Sequence, residues 1–324
     1  MKILGMGNAL VDIMTRVDND GFLDKVGLKK GSMELVDFDT ANAVMEASSN
    51  FEKSMAAGGS AANTINGLAR LGLETAFIGR VGRDEMGDFF ENDLLKNKTV
   101  SKLARSETRT GLAVALVTPD AERTFATYLG AAVELSAENL SENIFKGYDV
   151  FHIEGYLVQN YELIEKAIDL AKKAGCKVSI DLASYNVVEA NLDFLKKISS
   201  KVDILFANEE EAKAFTGKEP ATALEEIAQT VDIAVVKTGK SGSMVKSDGK
   251  VYKAGVIKAE SIDTTGAGDL YASGFIYGMS KGLPFDKCAA IGSVVAGNVI
   301  EVVGAKMDDQ RWERIYSMIK DIEK

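Results

Sequence analysis

The chain has 324 residues, 46% of them hydrophobic and 27% charged, a balance that fits a folded enzyme with one large α/β domain and a smaller appendage rather than a disordered chain. Its 48 acidic residues outnumber the 38 basic ones, and the net charge of -10 disfavours nucleic acid and anionic membranes as partners while leaving room for one nucleotide in a local positive pocket. One histidine and two cysteines, Cys176 and Cys288, exclude a multi-histidine metal centre and a disulfide framework, and no stretch approaches the roughly 20 apolar residues of a membrane span.

Residues 1–5 run straight into a strand-like segment without the apolar core of a secretory leader, so a cytoplasmic location is expected, with both cysteines as buried free thiols. Gly5-Met6-Gly7-Asn8-Ala9-Leu10 imitates a dinucleotide-binding fingerprint. Its third glycine is missing, and residues 11–17 alternate like a strand where the fingerprint needs a helix. Segments 9–18, 32–37, 109–118 and 122–128, rich in Val, Leu, Thr and Phe, read as strands, the last two joined by a turn at Pro119-Asp120-Ala121-Glu122. Two strands alone are marginal in water, so these pieces are expected to form one discontinuous β lid from about 9–37 and 109–128.

Between them, Ala56-Ala57-Gly58-Gly59-Ser60-Ala61-Ala62-Asn63 reads as a glycine-rich loop opening a helix. Ala61, Ile65 and Leu68 form that helix's apolar face and Gly72 is its stop. Gly58 and Gly59 would let a ligand approach the backbone, and Asn63 offers an amide to a hydroxyl; a plain helix cap by Ser60 is the simpler role. From residue 149 the pattern becomes strand, helix, strand, helix. Residues 149–153, 178–181, 202–206 and 233–236 are short apolar runs, and 160–174 is a helix with Leu163, Ala167, Leu170 and Ala171 on one face. That alternation argues for a parallel sheet covered on both faces. His152, inside one apolar run, reads as a hydrogen-bonded core residue. Gly239-Lys240-Ser241 imitates the end of a P-loop, but Ala234 stands where the motif needs its first glycine.

Asp263-Thr264-Thr265-Gly266-Ala267-Gly268-Asp269 turns into an apolar helical segment in which Tyr271, Phe275 and Tyr277 are expected to pack against the sheet. The small residues allow a sharp turn that leaves amides unpaired at a helix N-terminus, where the dipole adds to an anion site. Asp269 sets a carboxylate beside that cradle, as phosphoryl transfer to a hydroxyl requires. An acidic residue in a first helical turn also serves simply to favour the helix start.

The two glycine-rich elements, in this order and about two hundred residues apart, resemble the paired motifs of the ribokinase-like (PfkB) carbohydrate kinase family, a resemblance that covers nearly the whole chain. It implies a three-layer α/β fold, with a mostly parallel central sheet, helices on both faces and a small β lid, and transfer of the γ-phosphate of ATP to a primary hydroxyl of a sugar or ribonucleoside. By the same resemblance Asp269 is the general base and the amides of Gly266, Ala267 and Gly268 form the anion hole. Asn8, Asp12, Gly58, Gly59 and Asn63 hold the acceptor, and Lys237, Thr238, Gly239, Gly242 and Asn298 contact ATP. Asn208 and Glu211 order Mg²⁺ and its waters, and in some relatives a monovalent cation binds near Asp263 and Gly304. Ser60 stands where many sugar kinases carry lysine, while Arg123–Gly130 and Gly7–Asp12 look closer to the adenosine-kinase-like bacterial branch. The acceptor therefore stays open between a free sugar and a ribonucleoside, adenosine included. The expected partner is this small molecule, to a monomer or a homodimer paired through exposed lid edges. A non-catalytic sugar- or nucleotide-binding regulator on the same fold is the alternative of another class, and the intact Asp269 turn speaks against it.

Overall fold

A computed structural model describes residues 1–120 and 122–324. In chain order the strands are β1 (Lys2–Met6), β2 (Leu10–Arg16), β3 (Met33–Leu35), β4 (Lys53–Gly58), β5 (Glu74–Gly82), β6 (Val100–Ser106), β7 (Gly111–Val117), β8 (Arg123–Tyr128), β9 (Val150–Glu154), β10 (Lys177–Asp181), β11 (Ile204–Asn208), β12 (Ile233–Lys237), β13 (Ser243–Ser247) and β14 (Lys250–Ala254). Among the described residues they form two sheets. The larger runs β14-β13-β12-β11-β10-β9-β1-β5-β6, parallel from β12 to β6, with β13 and β14 added antiparallel at one edge.

Its central strands β1, β9, β11 and β12 are near-continuous buried runs because both faces are covered there. Leu4, Phe151, Leu205 and Ala234 point to one face, under the helices Tyr161–Lys173 and Leu192–Ser199. Their sequence neighbours Ile3, Val150, Ile204 and Ile233 point to the other, under Ser60–Arg70 and Ala267–Ser280. Three layers result. His152 lies within this core, bonded through Nδ1 to Ser179 and edge-on to Phe206. Tyr271 and Phe275 are buried against the sheet as expected; Tyr277 is partly buried, packed between that core and the one under the C-terminal helix, with its hydroxyl bonded to Glu323. Both cysteines are buried free thiols, and among the described residues no helix is long and apolar enough to cross a membrane.

The smaller sheet runs β3-β8-β7-β2-β4. β7 and β8 pair antiparallel; Ala121, in the turn between them, lies outside the described residues. One strand differs from the sequence reading. Residues 53–58 form β4, antiparallel to β2, where a loop is expected. Lys-Ser-Met-Ala-Ala-Gly has no β-branched residue, so its extended form comes from pairing with β2 rather than from propensity. β4 and β7 flank β2, so Asp12 stands on an interior strand of this sheet.

The helices Ser60–Arg70 and Ala267–Ser280 cross closely because Gly67 has no side chain. A Cβ there would stand 2.5 Å from Ser273 Oγ and 2.8 Å from Ser273 Cβ. Gly67→Ala is therefore expected to force the helices apart and lower stability by about 1–3 kcal/mol. Urea denaturation measures this, and an unchanged midpoint would refute the close-crossing argument.

Candidate active site

The C-terminal ends of β1, β9, β10, β11 and β12 face the first turn of helix Ala267–Ser280 and the small sheet. Crevices at strand ends of this kind are where open α/β sheets bind ligands. Gly266 takes φ 71 as the residue before the helix, and the amides of Gly266, Gly268 and Asp269 have no partner among the described residues. Ala267 departs from the sequence reading: its amide donates to the Thr264 carbonyl at 3.2 Å, closing the turn, so it is not free for a ligand.

Asp269 sits in this first turn. Its Oδ1 accepts from Ser60 Oγ at 2.7 Å and its Oδ2 from Asn63 Nδ2 at 3.0 Å. Thr64 Oγ1 also donates to the Asp269 carbonyl. Burial pushes the Asp269 carboxyl up to about 6, against the pull of the two side-chain hydrogen bonds; the Asp181 charge adds to the rise and Lys237 opposes it. Asn63 Oδ1 is buried without a partner among the described residues, an acceptor left for a hydroxyl.

Asp12 projects from β2 toward the same point, and burial raises its carboxyl to about 7. Lys306 opposes that rise most, Asp269 adds to it, and Arg123 also opposes it. The two glycines serve a different need from the one expected. A Cβ on Gly58 would lie 2.1 Å from Asp12 Oδ1, and one on Gly59, at φ 95, would lie 2.1 Å from the Asn8 carbonyl oxygen. The chain's own Asp12 and Asn8 take the space above them. Asn8 in turn donates its side-chain amide to Glu154 Oε1 at 2.7 Å. Glu154 Oε2 accepts from the Ala61 amide at 3.0 Å, so this buried carboxylate ties the β1–β2 loop to the start of the Ser60 helix. Burial raises Glu154 to about 7, the Ala61 and Asn8 hydrogen bonds holding it lower.

On the other side, Lys237 Nζ bonds Asp181 Oδ2 at 2.7 Å and lies 3.0 Å from the position a Cβ on Gly268 would take. An ammonium thus stands over the open amides. Thr238, with Ser241, Ser243, Glu209, Met244 and Lys253, lines an open cavity of about 580 Å³, large enough for a nucleotide base and ribose. Gly239 and Gly242 shape the turn from β12 to β13. At Gly242, φ 94, a Cβ would stand 2.0 Å from the Ala254 carbonyl. Asn298 does not join them: it is fully buried, donating to the Val294 carbonyl and lying beside Met318. Its place next to the last residue of the helix Phe285–Val299 was no guide to which way it faces.

Asn208 and Glu211 form a reciprocal helix cap. Asn208 Oδ1 accepts from the Glu211 amide, while the Glu211 oxygens accept from the Asn208 amide at 2.8 Å and from its Nδ2 at 2.7 Å. Burial pushes Glu211 up, Lys237 opposing. Among the described residues no cluster of three ligating side chains could cage a metal ion.

Sequence reasoning passed over Glu154, Asp181 and Lys306. For the first two a signal existed, since each is an acidic residue ending a parallel strand; Lys306, bonded to Asp93 at 3.1 Å, carried none.

The profile of the family described as pfkB family carbohydrate kinase matches residues 22–311. The chain is 30% identical over 276 residues to a 5-dehydro-2-deoxygluconokinase of Geobacillus kaustophilus, covering 79% of this chain and 82% of that one. Among solved structures it resembles a probable sugar kinase from Rhizobium etli, at 34% identity over 98% of both chains and a TM-score of 0.87. It equally resembles an adenosine kinase from Sinorhizobium meliloti, at 33% identity over 98% of both chains and a TM-score of 0.86.

The Lys237 ammonium is the one positive charge shared by Asp181 and Glu211 among the groups set out above. Lys237→Met is expected to destabilise the fold by about 3–5 kcal/mol near pH 8, because it leaves buried carboxylate charge unpartnered. The sign with pH follows from Glu211: without the ammonium its carboxyl rises further, the native state then binds its proton more tightly than the unfolded chain, and stability falls as pH increases. Unfolding curves near pH 8 and pH 5 check this; a loss that is no smaller at about pH 5 contradicts it.

Proposed function

Because the chain belongs to the pfkB carbohydrate kinase family, a family of phosphotransferases with an alcohol group as acceptor, we propose that it transfers the γ-phosphate of ATP to a primary hydroxyl of a small polyhydroxylated acceptor, with Asp269 as general base. The observation that carries this reading is the meeting of a carboxylate, open amides at a helix N-terminus and the Lys237 ammonium at one point. Asp269, raised to about 6, is mostly ionised at neutral pH yet basic enough to take a hydroxyl proton. Ser60 and Asn63 fix its two oxygens. The Gly266, Gly268 and Asp269 amides, the helix dipole and Lys237 face negative charge as it builds on a phosphoryl group in flight. The Thr238 cavity is the proposed seat of the nucleotide. Asn208 and Glu211, turned onto each other, suit contact with the water shell of a Mg²⁺ ion that neutralises phosphate charge, rather than direct ligation.

On the acceptor side, the Asp12 carboxylate accepts two vicinal hydroxyl donors and Asn63 Oδ1 another. A second, sharper reading is that the acceptor is a ribonucleoside, adenosine in particular. Strand register puts Asp12, Ala113, Thr127 and Leu35 in one row across the small sheet, and Met14, Ala115, Phe125 and Met33 in the next row on the same face. Leu35 and Met33 are 69% and 60% exposed, and Leu35, Thr127 and Leu129 border an open hollow of about 330 Å³. A flat, largely apolar base would cover this surface; a free sugar would leave it wet. The likeness to the Sinorhizobium meliloti adenosine kinase supports the same reading.

ADP release with adenosine, other ribonucleosides, ribose and 5-dehydro-2-deoxygluconate tests both levels. Adenosine is expected to give the highest kcat/KM, and no ADP with any hydroxylated acceptor would end the kinase reading. Removing the 2′-hydroxyl strands buried polar groups at about 1–3 kcal/mol, a loss in kcat/KM of roughly one to two orders of magnitude. In Asp12→Ala that penalty should shrink, since the two losses share one interaction. An equal deoxy penalty in both proteins would remove Asp12 from the acceptor clamp.

A further inference from the structure

One carboxylate fixes the start of the turn that leads to Asp269. Asp263 Oδ1 accepts from the Thr265 amide at 2.7 Å and its Oδ2 from the Gly304 amide at 2.6 Å. The amides of Ile262 and Asp263 both donate to the Ile300 carbonyl, so segments 262–265 and 300–304 form one unit around this side chain. The Asp263 side chain is 2% exposed. A carboxylate buried this deeply needs a counter-charge.

The small sheet supplies it. Arg123, the first residue of β8, places Nη2 2.5 Å from Asp263 Oδ1. Arg123 lies on the same sheet face as Phe125 and Thr127, and therefore as Asp12, and its guanidinium rests 5.5 Å from the centre of the Phe125 ring. A second lid contact lands on the same unit, because Met14 Cε lies 2.6 Å from where a Cβ on Gly304 would stand. The lid sheet therefore touches the loop pair 262–265 and 300–304 at both of its halves.

A monovalent cation near Asp263 and Gly304 does not fit these residues. Two backbone amides already donate to the two carboxylate oxygens, and a guanidinium pairs with Oδ1 where added positive charge would have to sit. We propose that Arg123 is the resident cation of this loop. Carried in by the lid, it neutralises Asp263 and sets the turn whose amides face the transferred phosphoryl group. Turnover then needs no monovalent cation, and the turn is fully set only when the lid is seated. Arg123 acts through Asp263 and is a positioning residue. The activity readout of this inference rests on the phosphoryl-transfer reading; its thermal readout does not.

The test compares wild type, Arg123→Ala and Arg123→Lys in potassium chloride and in tetramethylammonium chloride at equal ionic strength, by ATP turnover and by thermal melting. Wild type should show the same rate and the same Tm in both salts. Arg123→Ala should lose about 10²-fold in kcat in tetramethylammonium, as misplacement of a reacting geometry does, with acceptor KM little changed. Potassium should restore much of that kcat and raise the variant's Tm, because an ion that binds only the folded form stabilises it. Arg123→Lys should turn over without potassium. Potassium stimulation of wild type overturns the proposal, as does an Arg123→Ala protein that potassium neither reactivates nor stabilises. If Arg123→Ala does not fold, the wild-type salt comparison and the lysine variant decide. If wild type phosphorylates no acceptor, the kinase reading fails by itself, and the potassium effect on the variant's Tm still decides the role of Arg123.

Discussion

The cleft depends on one shared carboxylate. Asp269 belongs to the helix Ala267–Ser280, but its two oxygens are held by Ser60 and Asn63 from the helix Ser60–Arg70, more than two hundred residues away in sequence. The crossing of these helices at Gly67 and Ser273 makes that reach possible, since both donors are short side chains. From there the constraint spreads outward. Glu154 ties the start of the Ser60 helix to Asn8, and Asn8 leads into β2 and Asp12. Hydrogen bonds and short stretches of main chain thus join the carboxylate proposed to take the proton with the carboxylate proposed to hold the acceptor.

A second feature is the surplus of negative charge. Asp12, Glu154, Asp181, Glu211 and Asp269 converge on the cleft, and the positive groups near them are Lys237, Lys306 and Arg123. Burial raises Asp12, Glu154, Glu211 and Asp269 above the usual carboxylate range. In each, the folded state holds its proton more tightly than the unfolded chain, so their ionisation costs stability as pH rises toward neutrality. Such tension is typical of sites built to receive a ligand: hydroxyl donors for Asp12, and a phosphate-bound divalent cation beside Asp181 and Glu211, would relieve it.

Much of this was legible in the residues. The apolar runs at 149–153, 178–181, 202–206 and 233–236 are parallel strands because burial on both faces leaves little room for polar residues. The Gly266–Asp269 turn is a helix start because small residues there permit φ 71 at Gly266. Other features were illegible for physical reasons. β4 has no strand propensity of its own and exists through its partner. The role of Gly58 and Gly59 depends on Asp12 and Asn8, which pairing alone brings above them. Asn298 sits on a helix whose faces are both largely apolar, so periodicity could not say that it points toward Met318 of the C-terminal helix. The partner of Asp263 could not be read locally either, because Arg123 reaches it only once the two sheets are in place.

The central claim is that Asp269 takes the proton of the acceptor hydroxyl while backbone amides carry the phosphoryl charge. The most direct measurement is kcat of Asp269→Asn together with its affinity for ATP. Asparagine keeps the size and can keep a hydrogen bond, but it takes no proton. The account predicts a fall in kcat of roughly 10²–10⁴-fold, the usual worth of a general base, with ATP binding nearly unchanged because the open amides are untouched. Near-normal turnover by a correctly folded Asp269→Asn protein would contradict it.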